Sequence, residues 1–282
     1  MSIFQLTEKK SVSYTPSPVQ KGYTDKSLHV NLTTSDIRIN PIEDRVKQTF
    51  IGGKGYDLWL MWNAVNGNTR WKDPENTICI SSGPLGGTPG YPGGGKSIVT
   101  SISPLTGAPI DSNVGGYFGP YKKFSGFDAI QLDGKADDDT VILIDGIEQA
   151  VKIYSASGLP DDGYALSREL THYFDDQKPV NVSVVTAGPG AEHTSFGCLN
   201  FSWWDAGRKM VRYKQAGRGG IGTVFADKKI KAVVARFGTV SMKTNTPADL
   251  DRLKKVTKAH AKEIHELDPK QNRMALVGTT HI

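Results

Sequence analysis

Residues 90–97 read GYPGGGKS and fit the phosphate-loop pattern G-x-x-x-x-G-K-[ST] at every position. Such a loop cradles nucleotide phosphates where a strand leads into it and a helix follows it, because the helix N-terminus faces the phosphates. The residues after Lys96 are instead SIVTSISPLTG, a β-branched run that reaches Pro104. The sequence therefore predicts a strand after Lys96, and this context argues against an NTPase.

The cysteines and histidines limit the metal chemistry that the chain can support. Cys79 and Cys198 lie far apart without a C-x-x-C pair, and the six histidines show no metal-ligand spacing. Cys79 stands in the apolar run TICIS, which predicts a buried thiol. Because a four-iron cluster needs four thiolates, this chain does not ligate one by itself. The cysteine usage also predicts a reducing compartment without a disulfide framework.

Composition and charge exclude several classes of protein. The hydrophobic and charged fractions, 38% and 22%, are those of a folded domain. A nucleic-acid-binding domain usually shows a basic stripe with interleaved aromatics; the net charge of +5 is small, and we predict no nucleic-acid partner. The chain also lacks the ~18 consecutive apolar residues of a membrane span, so a cytoplasmic location and no membrane partner are predicted.

The elements that would position any site are mostly strands. Residues 1–27 are polar and predict an N-terminal arm that lies on a surface or partner, or is disordered. A hairpin with a Ser-Asp turn follows, and then two short helices broken at Gly52–Gly53. From residue 77 onward, short β-branched runs bounded by glycine and proline predict strands, with a hairpin at Asp145–Gly146. GYALSRELTHYF predicts a helix, and VNVSVV and KIKAVVA predict further strands.

Residues 247–266 are expected to form an amphipathic helix. Thr246 is a plausible N-cap and Pro247 a plausible first helical residue. The apolar residues fall on one stripe of this helix: Leu250, Leu253, Val256 and Ile264. An exposed stripe of this kind predicts that the isolated chain associates or aggregates.

Glycine makes up 31 of the 282 residues, and the glycines cluster where backbone must turn sharply or approach a ligand. From about Leu28 to Val240 the glycine-rich blocks resemble, in order and close to the spacing, the N-terminal domain of the tungsten-dependent aldehyde:ferredoxin oxidoreductases. The blocks are NTICISSGPLGGTPGYPGGGKSIVTSISPLTG, SNVGGYFGPYKKFSGFDAIQLDGKA, AGPGAE and QAGRGGIGTVFADKKIKAVVA. The terminal helix resembles the opening of that family's second domain.

The resemblance implies an α+β domain in which two antiparallel sheets form a saddle at residues 28–242. Residues 243–282 would begin an incomplete second, helical domain. On the saddle, the family holds a tungsten or molybdenum ion through the dithiolenes of two pterin cofactors, with a magnesium ion between the cofactor phosphates. Glycine-rich loops suit such a group because they let main-chain N–H and C=O groups come close to flat or anionic ligands.

The resemblance also assigns residues to this cofactor. Lys96 stands where the family usually has an arginine that bridges a pterin to the iron–sulfur cluster; lysine keeps the charge but loses the planar pair of donors. Asn113 and Gln215 match positions whose main-chain carbonyls hold the magnesium ion. The run KQAGRGGIG is the other cofactor-facing loop, and the remaining residues assigned to the cofactor are Gly115, Lys214, Ala216, Gly217, Arg218, Gly219 and Gly220.

Each assignment has an alternative that the sequence leaves open. Lys96 could be a solvated loop lysine, Asn113 a turn residue, and the glycines at 217–220 a turn that joins two packed elements. The segment SFGCLNFSWWDAGRKMVRY departs from the family pattern. No role is transferred to Cys198, and Trp203 and Trp204 are interpreted as core aromatics.

The family's cluster cysteines and proton-transferring side chains lie in later domains that this sequence does not contain. The implied partners are a polypeptide that carries those domains with the 4Fe-4S cluster, and a ferredoxin or iron–sulfur subunit. The implied reaction is oxidation of an aldehyde to a carboxylate with ferredoxin as acceptor. Two alternatives stay open, namely the tungsten subunit of a benzoyl-CoA reductase-type complex and a non-catalytic scaffold of a redox complex.

Overall fold

The strands form two sheets in the computed structural model, which describes residues 4–88, 90–238, 240–241 and 244–278. The larger sheet has seven strands, in the spatial order β1 (Gln5–Ser13), β9 (Ala150–Ser157), β8 (Thr140–Asp145), β13 (Ile230–Arg236), β10 (Val182–Ala187), β11 (Leu199–Asp205) and β12 (Met210–Ala216). The smaller sheet has six, in the order β3 (Asp36–Pro41), β2 (Lys26–Asn31), β7 (Ala129–Asp133), β4 (Ile78–Ser81), β5 (Ser97–Ile102) and β6 (Pro109–Val114).

The fold is α+β as expected, but the sheets are mixed where the resemblance implied antiparallel ones. β8 pairs in parallel with β13, and β2 pairs in parallel with β7. All other ladders between named strands are antiparallel. The two parallel pairs join strands far apart in sequence, which is the condition a crossover requires.

Helices lie between the sheets and on their outer faces. α3 (Phe118–Phe124) and α5 (Ile221–Asp227) are enclosed between them, and α5 contacts strands of both sheets. α4 (Gly163–Asp175) packs on β10, and α2 (Lys54–Ala64) packs on β4 and β5. The main core takes apolar side chains from both sheets, α3 and α5, among them Phe118 and Phe201, whose rings meet edge-to-face at 5.4 Å.

Several local predictions are confirmed. β2 and β3 form the hairpin around Ser35–Asp36, and α1 (Asp44–Phe50) is separated from α2 by the glycines at 52 and 53. β8 and β9 form the hairpin at Asp145–Gly146. Cys79 is fully buried in β4, and burial raises the pKa of its thiol well above the usual value.

The two ends of the chain differ in part from the predictions made from the sequence. The segment interpreted as an arm contains β1, which extends the larger sheet by pairing along β9. The terminal helix is present as α6 (Leu250–Leu267), but its N-cap is Asp249 and not Thr246, because the Asp249 carboxylate accepts from the Arg252 N–H at 2.8 Å. Thr246 has a φ of 38° and lies outside the helix. A short helix, α7 (Met274–Val277), follows. In the part of the chain that the structure describes, no helix is long and apolar enough to cross a bilayer.

Candidate functional site

The two sheets meet at their edge strands β6 and β12. The Arg218 N–H, just after β12, donates to the Ser112 Oγ of β6 at 3.1 Å. A Cβ added to Gly115 would lie 3.9 Å from the Cγ of Lys214. We call this junction of β6 and β12 the seam, and the structure brings most of the sequence-predicted site residues to it.

Asn113 and Gln215 occupy the two strands of the seam. Asn113 is exposed on β6, opposite Ile98 of β5. Gln215 is exposed on β12, where its side-chain amide donates to the Asn200 Oδ1 at 3.3 Å. Residues about a hundred positions apart in the sequence therefore lie on two strands that contact each other.

The segment KQAGRGGIG is only in part the loop that was expected. β12 continues to Ala216, whose side chain is buried in the core, so Lys214 and Gln215 are strand residues. A Cβ on Gly220 would lie 2.1 Å from the Ser195 carbonyl oxygen, and one on Gly219 would lie 2.3 Å from the Ile110 side chain. These two glycines are required for packing within the chain itself. Gly217 and Arg218 are exposed at the turn.

A cleft of about 820 Å³ opens beside the seam. Its floor is glycine backbone from residues 93–95 and from Gly116, and the side chains of Lys214 and Trp203 also line it. A Cβ on Gly95 would lie 2.5 Å from the Gly116 carbonyl oxygen, so the two glycine segments are in direct main-chain contact. Glycine permits this approach because it carries no side chain.

Lys96 lies next to this floor but does not line the cleft. It immediately precedes β5, whose first residue, Ser97, pairs with Val114 of β6. Lys96 is therefore adjacent to Gly115 in the ladder, and its side chain is exposed. β5 also confirms that a strand, and not a helix, follows the phosphate-loop pattern.

The loop between β4 and β5 is fixed at its base by two side chains from other elements. The Lys123 Nζ of α3 donates to the Gly83 carbonyl oxygen at 2.6 Å, and the Asn245 amide donates to the Pro84 carbonyl oxygen at 3.0 Å and to the Thr88 Oγ1 at 2.8 Å. Burial lowers the pKa of Lys123 to about 8, although the Asp128 charge opposes that shift. The ammonium group consequently remains a donor to the loop at pH 7.

The interpretation of Trp203 and Trp204 as core aromatics is wrong. Both side chains are half-buried, because the β11–β12 hairpin extends beyond the end of the core. Since side chains alternate along a strand, the two rings lie on opposite faces of the hairpin. Trp203 faces the cleft, where the Arg212 guanidinium carbon and the Lys214 Nζ each lie 5.9 Å from its ring centroid. Trp204 faces a second groove of about 430 Å³ beside α4.

One wall of the cleft is aromatic, and the sequence analysis did not predict its residues. The rings of Tyr117 and Tyr121 stack with centroids 5.8 Å apart, and the Tyr121 hydroxyl donates to the Val180 carbonyl oxygen at 2.5 Å. The signal was present as the tyrosines of GGYFGPY, which follow the Gly115–Gly116 pair at the point where α3 begins. The cleft is therefore lined by glycine backbone, by the Lys214 cation and by aromatic rings.

Behind the cleft, four ionisable side chains are buried together: Asp57, Lys122, Lys123 and Asp128. Burial raises the pKa of Asp57 to about 8, against the hydrogen bond that the Thr100 hydroxyl donates to its carboxyl at 3.1 Å. Burial lowers the pKa of Lys122 to about 7, and its Nζ donates to the Asp128 carbonyl oxygen. These groups lie inside the fold, and none of them lines the cleft.

The donor set of the seam and cleft fits a flat, anionic group. Open glycine backbone admits a planar ligand, and the cations at Lys214 and Arg218 offer charge-assisted hydrogen bonds to phosphate. Among the described residues, no group of three or more histidine, cysteine, aspartate or glutamate side chains could hold a metal ion. Any metal at the seam would thus need ligands from a bound cofactor or from main-chain carbonyls.

Two mixed sheets joined at their edge strands, with helices between them, define a two-sheet α+β domain. The model of the aldehyde ferredoxin oxidoreductase N-terminal domain matches residues 27–237, and the chain belongs to this family.

Individual proteins agree with this membership. The tungsten-containing aldehyde ferredoxin oxidoreductase of Pyrococcus abyssi is 32% identical over 215 residues, which cover 76% of this chain and 33% of that protein. The WOR-like subunit of an aliphatic sulfonate oxidoreductase of Pyrococcus furiosus is 28% identical over 227 residues, 76% of this chain and 34% of that protein. The chain thus spans about a third of the length of the curated relatives it matches.

A solved structure has the same fold. The active-site complex of benzoyl coenzyme A reductase with 1,5-dienoyl-CoA contains a chain that superposes with a TM-score of 0.66 at 27% identity. The superposition covers 77% of this chain and 31% of that one.

Proposed function

We propose that this chain forms the pterin-cofactor-binding part of a tungsten oxidoreductase that oxidises aldehydes to carboxylates with ferredoxin as electron acceptor. The seam is the observation that carries the proposal. It joins Asn113, Gly115, Gln215 and Arg218, predicted separately from two distant blocks, on two contacting edge strands beside a glycine-floored cleft. The relatives named tungsten-containing aldehyde ferredoxin oxidoreductases supply the reaction class.

The residues of the seam would divide the binding of the cofactor between them. Lys96, Lys214 and Arg218 would donate to phosphate and ring acceptors, and the main-chain carbonyls of Asn113 and Gln215 would hold the magnesium ion between the phosphates. The glycine floor and Trp203 would exclude water from one face of the ring system. When bound, the tungsten cofactor supplies the two-electron redox chemistry, while this chain orients the cofactor.

The chain corresponds to about a third of the length of its relatives, and the proposal places the remaining domains either on a partner subunit or on a longer form of the same chain. A polypeptide with the remaining domains would complete the site and ligate the 4Fe-4S cluster. A ferredoxin or iron–sulfur subunit would then receive the electrons. Cytoplasmic location and sensitivity to oxygen belong to the same proposal.

Elemental analysis of the native complex, purified anaerobically with its subunit masses determined, tests this function. We expect tungsten or molybdenum near one per complex, together with iron and a second polypeptide that carries cysteines. Aldehyde-dependent reduction of a viologen dye should accompany the metal. An intact complex without either metal would contradict the proposed enzymatic function. It would support the alternative that the chain is a non-catalytic scaffold that retains the fold.

A charge-neutral variant tests the part that this chain plays. Lys214→Met keeps the length of the side chain but removes one charge-assisted hydrogen bond, which is worth ~1.5–3 kcal/mol. The tungsten retained per complex after extensive dialysis should therefore fall by about tenfold or more. Lys258→Met, on the exposed face of α6, is the matched control and should retain the metal. Equal retention of tungsten by both variants would show that Lys214 does not contribute to binding of the cofactor.

A benzoyl-CoA reductase-type complex is the second candidate, and the solved neighbour with a TM-score of 0.66 favours it. The same anaerobic complex would then oxidise a cyclic dienoyl-CoA with a dye as acceptor and would leave simple aldehydes untouched. Activity with aldehydes and none with the dienoyl-CoA would support the aldehyde oxidoreductase instead.

A further inference from the structure

The positive charge of the chain is concentrated in the β11–β12 hairpin and the turn after it. Residues 199–218 contain five cationic side chains and one carboxylate, a net charge of +4, whereas the whole chain carries +5. The remaining 262 residues are therefore close to neutral. The charged residues of this segment are Asp205, Arg208, Lys209, Arg212, Lys214 and Arg218.

Most of this charge is not neutralised within the described residues. Arg208 and Arg212 share one carboxylate, that of Asp205, at 3.0 and 3.4 Å. Lys209, Lys214 and Arg218 form no ion pair with any residue that the structure describes. All five cations are exposed. Uncompensated like charges on one hairpin repel one another, and an oppositely charged partner would relieve that repulsion.

The hairpin also carries the side chains that dominate protein–protein interfaces. Tryptophan, tyrosine, methionine and arginine are enriched in such surfaces. Trp203 and Trp204 flank the hairpin on opposite faces, and Met210 has half of its surface exposed. The groove on the Trp204 face, which lies outside the cleft proposed for the cofactor, could receive side chains from a partner.

The arrangement of the rings disfavours a nucleic acid. Single-stranded nucleic acids bind by stacking bases on exposed aromatic faces. Here Trp204 meets the His172 ring edge-to-face at 5.6 Å, and Tyr213 meets Tyr164 at 4.4 Å with its hydroxyl bonded to the Tyr164 carbonyl oxygen. Trp203 lies between the cations and Gly116. A small anion is equally disfavoured at the hairpin tip, because Arg208 and Arg212 already share the Asp205 carboxylate.

We propose that the β11–β12 hairpin is the docking surface for an acidic polypeptide. Carboxylates of the partner would pair with Arg208, Lys209 and Arg212 at the tip, and its apolar side chains would enter the groove beside Trp204 and Met210. Electrostatic complementarity of this kind mainly speeds association and weakens with salt. The proposal goes beyond the function proposed above and does not depend on a bound metal.

Zero-length cross-linking of the native complex tests the surface directly. A carbodiimide joins lysine amines to carboxylates that they contact, and mass spectrometry then identifies the joined residues. We expect Lys209 to be joined to an aspartate or glutamate of a second polypeptide. Cross-links from Lys254 and Lys255 of α6 to that polypeptide, with none from Lys209, would overturn the proposal.

A matched pair of triple variants separates this surface from charge in general. Arg208→Gln, Lys209→Gln and Arg212→Gln remove three charges from the hairpin; Lys254→Gln, Lys255→Gln and Lys258→Gln remove three from α6. The hairpin variant should weaken binding of the cross-linked polypeptide by about tenfold at low salt, mainly through the association rate. The α6 variant should bind as the parent chain does.

Each other outcome contradicts the proposal. Equal weakening by both variants would mean that net charge, and not this surface, governs binding. Nuclease-sensitive binding of nucleic acid that is lost in the hairpin variant would replace the acidic polypeptide with a different partner. Tungsten content, measured on the same preparations, distinguishes failure of the proposed function from failure of the docking surface.

Discussion

Trp203 shows how the position of a single side chain decides its role. On β11 it follows Phe201 on the same face, and Phe201 is fully buried between the sheets. Two residues further along, the strand has passed the edge of the core, and Trp203 instead lines the cleft. Residue type alone favours burial for tryptophan, but the length of the hairpin beyond the core exposes it.

Asp57 should make stability depend on pH in an unusual direction. Its pKa is raised from 3.8 to about 8 in the folded chain by burial, so the folded state binds a proton that the unfolded state releases. The stabilisation is present below pH ~4 and is lost as the pH rises towards 8, by up to about 1.4 kcal/mol per pH unit. Lys122 titrates in the opposite sense, which makes comparison with a variant necessary.

The comparison uses Asp57→Asn, which resembles the protonated side chain in shape. Urea unfolding followed from pH 4 to pH 8 should show the smallest difference in stability near pH 4 and a growing advantage for the variant at higher pH. Asp251→Asn, on the exposed face of α6, is the control and should follow the parent chain. Parallel pH profiles for the parent and Asp57→Asn would contradict the raised pKa.

Gly95→Ala tests the contact between the two glycine segments of the floor. The added Cβ would lie 2.5 Å from the Gly116 carbonyl oxygen, and main chain cannot move aside as a flexible side chain can. Such overpacking costs about 1–3 kcal/mol. Gly188→Ala adds the same group where no atom lies within 4 Å and should be nearly neutral. Urea unfolding of both variants measures the difference, and equal stabilities would show that the floor adjusts.

Individual strands and helices followed from sequence wherever the determining interactions are local. The β-branched residues after Lys96 predicted β5, and Gly52–Gly53 predicted the break between α1 and α2. The start of α6 was misplaced because Thr246 and Pro247 resemble a helix start as closely as Asp249 does, and only the Asp249 hydrogen bond distinguishes them.

Candidate residues for the site could be named from the sequence, but their arrangement could not. Asn113 and Gln215 were assigned by resemblance, yet their placement on contacting strands depends on the meeting of two sheet edges. The Tyr117–Tyr121 wall and the buried Asp57–Lys122 group arise from packing between distant segments, which no local pattern encodes.

Helix α6 should drive association of the isolated chain. Val256 and Ile264 are 47% and 46% exposed on one stripe, and no residue of the helix is buried. Val256→Glu with Ile264→Glu should therefore keep the chain monomeric at concentrations where the parent associates, as measured by sedimentation. Ala259→Glu adds a charge outside the stripe and is the control. A parent chain that stays monomeric throughout would refute this expectation.

In the whole molecule, the larger sheet depends on one central strand. β13 pairs with β8 on one side and β10 on the other, so it joins β1, β9 and β8 to β10, β11 and β12. Its residues are almost all buried. The seam also depends on β13, because β12 holds its place through this continuous sheet.

Truncation tests that dependence. A chain that ends at Lys229 lacks β13 and should lose cooperative urea unfolding, because the sheet divides into two three-stranded pieces. A chain that ends at Asp249 lacks α6 but keeps every strand, together with the Asn245 contacts, and should unfold cooperatively. A cooperative transition in the shorter chain would show that β13 is dispensable.

The central position of β13 has a consequence for synthesis on the ribosome. The strand that joins the two parts of the larger sheet is the last of its strands to be translated and therefore the last to leave the exit tunnel. Until Arg236 emerges from the ribosome, β8 and β10 each present an unpaired, apolar edge to solvent. Nascent chains of this protein therefore pass through an interval in which a chaperone that shields strand edges would protect them from aggregation.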